Sequence, residues 1–378
     1  MSEIQKALMF SKFDEVQSLL ASGATWDVPS HQVDNAVGNM FRTGAFDMIK
    51  TLIDKNIIEL DVFEYDRFPN TIFQRILETT FSDELYSFVE SIIGDVDNID
   101  DELQGKSWLG LAIEKKSNPK LIELLINNGC DVNKINTKEE TYLFATKDFA
   151  LSEMLINSGL DINKKNVVGK TAFFNAVASK DKELIQLYMD NGADINAQNN
   201  QGETVYHIVC FNIMDAGAIF EQLASYDPPQ VNLKNIDGES LFMKMASRAE
   251  WEAEIKLLGL MLEHGGDLFH EEVDGYGNPT TASNEMAKKS VAVLEMIAEK
   301  GFLDVDAIDT RGNTWLHQVC MFDLNYEEKK AKELYRKVKF LLKQGANPNL
   351  KNDEDQSPID YAQEDNLKAK ALQIMLKK

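Results

Sequence analysis

The chain has 378 residues, of which 44% are hydrophobic and 9% aromatic, a composition typical of folded proteins rather than disordered segments. Its 62 acidic and 39 basic residues give a net charge of −23, which disfavours direct binding to nucleic acid or to an anionic membrane. No apolar run approaches the roughly 18 residues of a membrane helix, and the start MSEIQKALMF does not resemble a secretory signal. The three scattered cysteines (Cys130, Cys210 and Cys320) argue against a disulfide framework. We therefore expect a cytoplasmic protein.

The first 104 residues carry more than half of the net negative charge. They contain 20 acidic and 7 basic residues, a net charge of −13, and the stretch from Ile76 to Gly105 has nine acidic residues and no Lys or Arg. Such a run is either a solvated face or a docking surface for a basic protein. The candidate contact residues of the second interpretation are Glu84, Glu90, Asp95, Asp97, Asp100, Asp101 and Glu102.

One frame recurs along the chain, and it is strongest from Gly105 onward. A Gly is followed by Ser or Thr two residues later, a large apolar residue four residues later, and a small or apolar residue seven residues later. Successive starts are separated by 30 to 43 residues, and such a period indicates a repeat architecture. The clear copies start at Gly105, Gly169, Gly202, Gly238 and Gly312, and the weaker ones at Pro69, Glu139, Gly277 and Asp355.

A second element lies between these starts. Its apolar residues are spaced as on a helix with one buried face, as in LIQLYMDNGADIN at residues 184–196. A Gly then ends the helix, and Asp or Asn follows as turns require. Because Ser or Thr precedes the other apolar run as an N-cap, each unit reads as turn, helix, short turn, helix. The helix-ending glycines are Gly129, Gly159, Gly192, Gly265, Gly301 and Gly345.

These residues closely resemble the ankyrin repeat, whose signature combines T-P-L-H-x-A with L-L-x-x-G-A-D-x-N. Residues 182–196 and 340–349 are the best local copies. The resemblance implies an all-α fold: an ankyrin-repeat solenoid of about ten helix-turn-helix units with hairpin turns, degenerate N-terminal repeats and loop insertions. It divides the chain into residues 1–104, an acidic region of degenerate repeats with a cap, and residues 105–378, the array with a C-terminal capping helix.

The array departs from the family pattern in two ways. Four segments are longer than the family requires, namely 212–230, 247–256, the hairpin region 269–281, and 323–337, which we interpret as a helix–helix link. Large residues also replace the signature Pro, among them Trp108, Tyr142 and Trp315. These rings either project into the groove as partner contacts or pack between neighbouring repeats.

The sequence offers little for catalysis or metal binding. It has no nucleophile elbow, P-loop or C-x-x-C motif, and we predict no catalytic, cofactor-binding or metal-binding residue. The pairs His207–Cys210 and His317–Cys320 have the spacing of metal ligands, but they fall on the signature His and a small buried position. We predict that each His bonds Thr and backbone of its own or the adjacent turn, and that each Cys is a buried hydrophobe. Residues 264–272, HGGDLFHEE, are predicted to form a turn.

The resemblance implies a non-enzymatic scaffold that holds a protein partner, expected to be basic, on its groove and hairpin tips. The tips are residues 134–139, 164–169, 197–202, 234–239 and 307–312. We expect a monomer when free, and a stoichiometric inhibitor such as a toxin-neutralising immunity protein. Two alternatives stay open: the acidic N-terminal region mimics nucleic acid and blocks a nuclease or DNA-binding protein, or the chain is a secreted effector that acts in a host.

Overall fold

The structure, a computed structural model, describes residues 1–61, 71–103, 105–212, 216–363 and 365–378. These residues form 22 α-helices, one short 3-10 helix and four short strands. The helices follow one another as eleven pairs, which confirms the predicted helix-turn-helix units. The weak repeat start at Pro69 and the last residue of the predicted N-terminal region, Gln104, lie outside the described residues.

The chain divides into two compact units, Met1–Val167 and Val168–Lys378. The division after residue 104 that the sequence predicts rests on where the repeat signature weakens, and it stays a prediction. Three helix pairs nevertheless precede Gly105, where degenerate repeats were expected.

Unit 1 contains five helix pairs and one two-stranded hairpin. The first helices of the last four pairs pack on one another in order, and so do the second helices of the first four pairs, so that the helices form two rows. The helices are α1 (Glu3–Met9), α2 (Phe13–Ala21), α3 (Ser30–Thr43), α4 (Phe46–Asp54), α5 (Ile72–Glu78), α6 (Asp83–Ile93), α7 (Trp108–Glu114), α8 (Pro119–Asn127), α9 (Tyr142–Ala145) and α10 (Phe149–Asn157), and the strands are β1 (Glu102–Leu103) and β2 (Lys106–Ser107).

Helix α8 shows why the sequence folds in this way. Asn118 caps the helix by accepting a hydrogen bond from the Lys120 amide at 3.0 Å, and Pro119 occupies the first helical position, where its missing N–H is harmless. Leu121 and Leu125 lie on the buried face and are 3% and 0% exposed. Burial of each such side chain contributes about 1.5–3 kcal/mol, so packing rather than helix propensity stabilises these short helices.

Unit 2 contains six helix pairs arranged in the same two rows. Its helices are α11 (Ala172–Ser179), α12 (Lys182–Asp190), α13 (Val205–Asn212), α14 (Gly217–Ala224), α15 (Leu241–Arg248), α16 (Glu252–Glu263), α17 (Ala282–Ala287), α18 (Val291–Glu299), α19 (Trp315–Met321), α20 (Glu328–Lys343), α21 (Pro358–Gln363) and α22 (Ala369–Met375); its strands are β3 (Glu271–Val273) and β4 (Pro279–Thr281), and a 3-10 helix spans Asn366–Lys368.

The turns of both kinds follow the sequence pattern. All six glycines predicted to end second helices have positive φ, from 78° at Gly301 to 103° at Gly345. At the hairpin tips an Asn or Asp side chain accepts hydrogen bonds from amides two and four residues ahead, as Asn235 does from Asp237 and Glu239, both at 3.0 Å. The tips are therefore fixed by their own side chains.

The inserted segments take two forms. Residues 269–281 form the antiparallel β3–β4 hairpin, as predicted. The interpretation of 323–337 as a link was wrong for most of its length, because α20 begins at Glu328 and runs for 16 residues. Leu334, Lys337 and Val338 on the added turns are buried, so the extra length packs on the preceding pair. Among the residues that the structure describes, no helix is long and apolar enough to cross a membrane.

Candidate functional site

The predicted acidic residues lie on α6 and on the segment that follows it. Ser82 caps α6 by accepting a hydrogen bond from the Leu85 amide at 3.2 Å, and Leu85, Phe88 and Val89 face the core. This orientation leaves carboxylates on the outside of the helix and along the next turn. The exposed members, which we call the acidic surface, are Glu84, Glu90, Asp95, Asp97, Asp101 and Glu102.

Asp100 differs from these neighbours because it is half-buried and already engaged. Its carboxylate accepts a hydrogen bond from the Asp131 amide at 2.8 Å, and its carbonyl accepts one from the Lys134 ammonium. Lys134 also lies 3.9 Å from Glu102. Asp100 therefore connects two successive turns of unit 1, while most of the acidic surface stays open to a partner.

Two of the predicted aromatic contact residues are inside the protein. Trp108 is 1% exposed and Trp315 0% exposed. The Trp108 ring meets Phe73 at 4.4 Å between centroids, and the Trp315 ring meets Phe269 at 5.7 Å. Both rings pack between elements of neighbouring repeats, so neither is placed to touch a partner, and the packing interpretation of the sequence applies to them.

Tyr142 is half-buried and lines a cavity of about 930 Å³ in unit 1, together with Glu102. Its hydroxyl lies 2.7 Å from the Ser107 hydroxyl, and burial raises the pKa of Tyr142 to about 12. The cavity opens beside α9, which has only four residues. Its charges balance, because the lining holds four lysines and four acids: Lys106, Lys116, Lys134 and Lys147, and Glu102, Glu114, Glu140 and Asp148.

A second cavity, of about 460 Å³, lies in unit 2 along the first helices of three successive pairs. Three cations line it, and each faces an aromatic ring. Lys170 Nζ lies 5.9 Å from the Phe174 ring centroid, and Lys244 and Arg248 lie 5.3 and 5.1 Å from that of Phe211. We call this the cationic cavity; its lining also includes Asn175, Glu203 and His207.

His207 and His317 form the local hydrogen bonds that the sequence predicted. The Thr204 and Thr314 amides donate to Nδ1 of His207 and His317 at 3.0 and 3.1 Å. His317 Nε2 also lies 3.2 Å from the Gln356 carbonyl, which joins two repeats. His207 Nε2 is buried and has no hydrogen-bond partner among the described residues. Burial lowers the pKa of His207 to about 4.

The cysteines and the HGGDLFHEE segment also behave as predicted. Cys210 and Cys320 are 9% and 0% exposed, and burial raises the pKa of the Cys320 thiol to about 12. Asp267 accepts hydrogen bonds from the Phe269 and His270 amides, both at 3.0 Å, as a turn residue does. Within the described ranges, no group of three or more His, Cys, Asp or Glu could hold a metal ion.

The sequence reasoning missed the cationic cavity, although a signal was present. Asn175, Ile208 and Lys244 all stand six residues after a repeat-start glycine, and all three line the cavity. That frame position lies on the less buried face of the first helix, where Asn175 is exposed and Ile208 and Lys244 are half-buried. Lys244 at this position, with Arg248 one turn further on, indicated a cationic site.

A comparison with protein-family models agrees with the repeat pattern of the sequence. A family model described as "Ankyrin repeats (many copies)" matches residues 174–212. One similar solved structure is the ankyrin repeat domain of Bcl-3, described as a unique member of the IkappaB protein family. It is 18% identical, with a TM-score of 0.44, and the match covers 72% of this chain and 99% of that one. A search of curated proteins found no match.

Proposed function

Because the chain carries ankyrin repeats, we propose that it is a non-enzymatic scaffold for a basic protein partner, which it contacts through the acidic surface, the groove along the first helices and the hairpin tips. One observation supports the choice of a basic partner above the others. Six carboxylates of the acidic surface are exposed, the chain has no Lys or Arg from Ile76 to Gly105, and Lys134 lies 3.9 Å from one of the six, Glu102.

Electrostatics gives this surface a specific role. Exposed carboxylates contribute modestly to affinity one by one, since salt screens them. Together with the net charge of −23, they accelerate encounter with a cationic protein and disfavour acidic competitors. The folded repeats add a preformed surface that loses little conformational entropy on binding.

We propose stoichiometric inhibition as the form of this activity, with a toxin or a nucleic-acid enzyme as the partner. A bound scaffold would block the access of such a protein to its own target. If the acidic surface imitates a phosphate backbone, duplex DNA should compete with the chain for the partner. If it only steers encounter, DNA should compete weakly.

The experiment is affinity capture from the native source with the wild-type chain and two variants of equal charge change. The first variant neutralises the acidic surface by Glu→Gln and Asp→Asn. The control neutralises six exposed acids of unit 2, namely Glu183, Glu252, Glu295, Glu299, Glu328 and Glu354.

We expect one basic protein to be captured in a 1:1 complex by the wild type and the control, and to be lost from the first variant. Its affinity should fall steeply with salt concentration. Capture of an acidic or neutral protein, or equal retention by both variants, would contradict the proposal. Competition by duplex DNA then separates the mimic from the simple inhibitor.

A further inference from the structure

The cationic cavity has a charge opposite to that of the whole chain. Three cations, Lys170, Lys244 and Arg248, line it against one acid, Glu203, although the chain has a net charge of −23. Glu203 is itself engaged: its carboxylate accepts a hydrogen bond from Asn199 at 3.2 Å and lies 3.9 Å from Lys244 Nζ. Lys244 and Arg248 by themselves therefore bring more positive charge to the cavity than Glu203 neutralises.

Lys244 and Arg248 are arranged in a way that folding alone does not favour. They stand four residues apart on α15, so their like charges lie on one face of the helix and repel each other. Both contact the same ring, Phe211, within the roughly 6 Å of a cation–π interaction. The ring orients the two cations, but it does not neutralise them.

His207 lines the same cavity and, within the part of the chain that the structure describes, carries a buried donor without a partner. Its Nδ1 accepts a hydrogen bond from the Thr204 amide, so in the neutral imidazole the proton is on Nε2. That N–H is buried and has no partner among the described residues, whereas the equivalent group of His317 lies 3.2 Å from a backbone carbonyl. A buried donor without an acceptor is destabilising, and a bound ligand with an acceptor atom would satisfy it.

We propose that the cationic cavity binds the carboxylate of an acidic side chain presented by a protein partner. The Arg248 guanidinium offers a planar pair of N–H donors that matches a carboxylate, and His207 Nε2 offers the buried one. The half-buried Phe211 ring contacts the aliphatic part of the same side chain. The assignment of this carboxylate to a protein partner rests on the function proposed above. Binding of a carboxylate in the cavity does not depend on the acidic surface.

The test uses the purified full-length chain and capped peptides that differ in one group. The first is an acetylated and amidated pentapeptide with a central Glu between glycines, the second has Gln in its place, and inorganic phosphate is the third probe. Binding is followed by the NMR signals of the imidazole nitrogens, with His207→Asn to assign the His207 signal. Because the chain is strongly acidic, general electrostatic attraction cannot draw an acidic peptide to it.

We expect the Glu peptide to shift the His207 signal saturably at millimolar concentration, and the Gln peptide to leave it unchanged. Arg248→Gln removes an exposed side chain and should weaken binding about tenfold. Lys256→Gln, an exposed cation on α16, should bind as the wild type does. Three results would each overturn the inference. The Glu peptide leaves the His207 signal unchanged, Arg248→Gln and Lys256→Gln weaken binding equally, or inorganic phosphate shifts the signal and the Glu peptide does not. None of them bears on whether a basic protein binds the acidic surface.

Discussion

His207 and His317 occupy the same position in two repeats, yet only His317 uses both ring nitrogens. Each accepts a hydrogen bond at Nδ1 from the Thr amide three residues earlier. The Nε2 of His317 continues to the Gln356 carbonyl of the next repeat at 3.2 Å, whereas that of His207 has no partner among the described residues. His317 therefore links two repeats, whereas His207, a lining residue of the cationic cavity, keeps a buried donor without a partner in the described ranges.

This difference predicts unequal losses of stability on substitution by Asn. The Asn amide oxygen replaces Nδ1 as the acceptor for the Thr amide, and the rest of the ring is lost in both variants. His317→Asn also breaks the bond to Gln356, so it should lower the free energy of unfolding by about 1 kcal/mol more than His207→Asn does. Urea unfolding of both variants measures this difference. Equal losses would show that the Gln356 contact contributes nothing.

The low pKa of His207 predicts a loss of stability in mild acid. In the folded protein its pKa is about 4, lowered by burial from 6.5. Between these values the unfolded chain binds a proton that the folded chain does not. The contribution of neutral His207 to stability is therefore complete above about pH 6.5 and is lost as the pH falls. By pH 5 this loss reaches about 2 kcal/mol.

Thermal unfolding between pH 7.5 and 5 tests this expectation. The wild type should lose more stability over this interval than His207→Asn, and the control His270→Asn, at an exposed histidine, should behave as the wild type. The carboxylates titrate alike in all three proteins. If the stability of the wild type and of His207→Asn falls equally with pH, the pKa of His207 is not lowered in the folded protein.

The period of the repeats could be read from the sequence because it is imposed by local chemistry. The nine-residue helix α12 follows Asp181, whose side chain accepts a hydrogen bond from the Leu184 amide at 3.0 Å, and it ends before Gly192 at φ 82°. Each feature depends on a few neighbouring residues, so residue type and spacing indicate it directly. The same holds for the bonds between His317 and Thr314.

The cationic cavity and the long α20 could not be read in this way. The cavity joins Lys170, Phe211 and Arg248, which are far apart in the sequence and meet only when three first helices stack. The first turns of α20 are rich in lysine, so the sequence predicts a charged link there. The buried face of the helix is not evident from these residues. Lys337, which is 3% exposed, is assigned to the core only once the preceding pair is placed.

Two glycines test how closely the hairpin tips of unit 2 pack. Gly202 and Gly192 both have positive φ, 77° and 82°, so an added Cβ strains each backbone by roughly 1 kcal/mol. At Gly202 this carbon would lie 2.7 Å from Asn235 Cα in the next tip, whereas at Gly192 nothing lies within 4 Å. Gly202→Ala should therefore lower the unfolding midpoint more than Gly192→Ala. Equal midpoints would show that adjacent tips move apart freely.

Lys337 is a buried ammonium whose replacement should stabilise the chain. Its Nζ donates to the Ala287 carbonyl and lies 5.9 Å from the Phe322 ring centroid, and burial lowers its pKa from 10.5 to about 8. At pH 7 the lysine is charged in both the folded and unfolded chains. Its burial then costs about 3 kcal/mol, and the bond to Ala287 recovers part of it.

Lys337→Met should therefore raise the free energy of unfolding at pH 7 by about 2 kcal/mol, since Met matches the aliphatic stem and needs no partner. Between pH 8 and 10.5 the unfolded chain binds the proton more tightly than the folded one, so wild-type stability should rise with pH and the gain of the variant should shrink. Lys339→Met, at an exposed position of the same helix, is the control and should change stability little. A destabilised Lys337→Met would mean that the ammonium–carbonyl bond outweighs the burial of the charge, and that Lys337 holds α20 against the preceding pair.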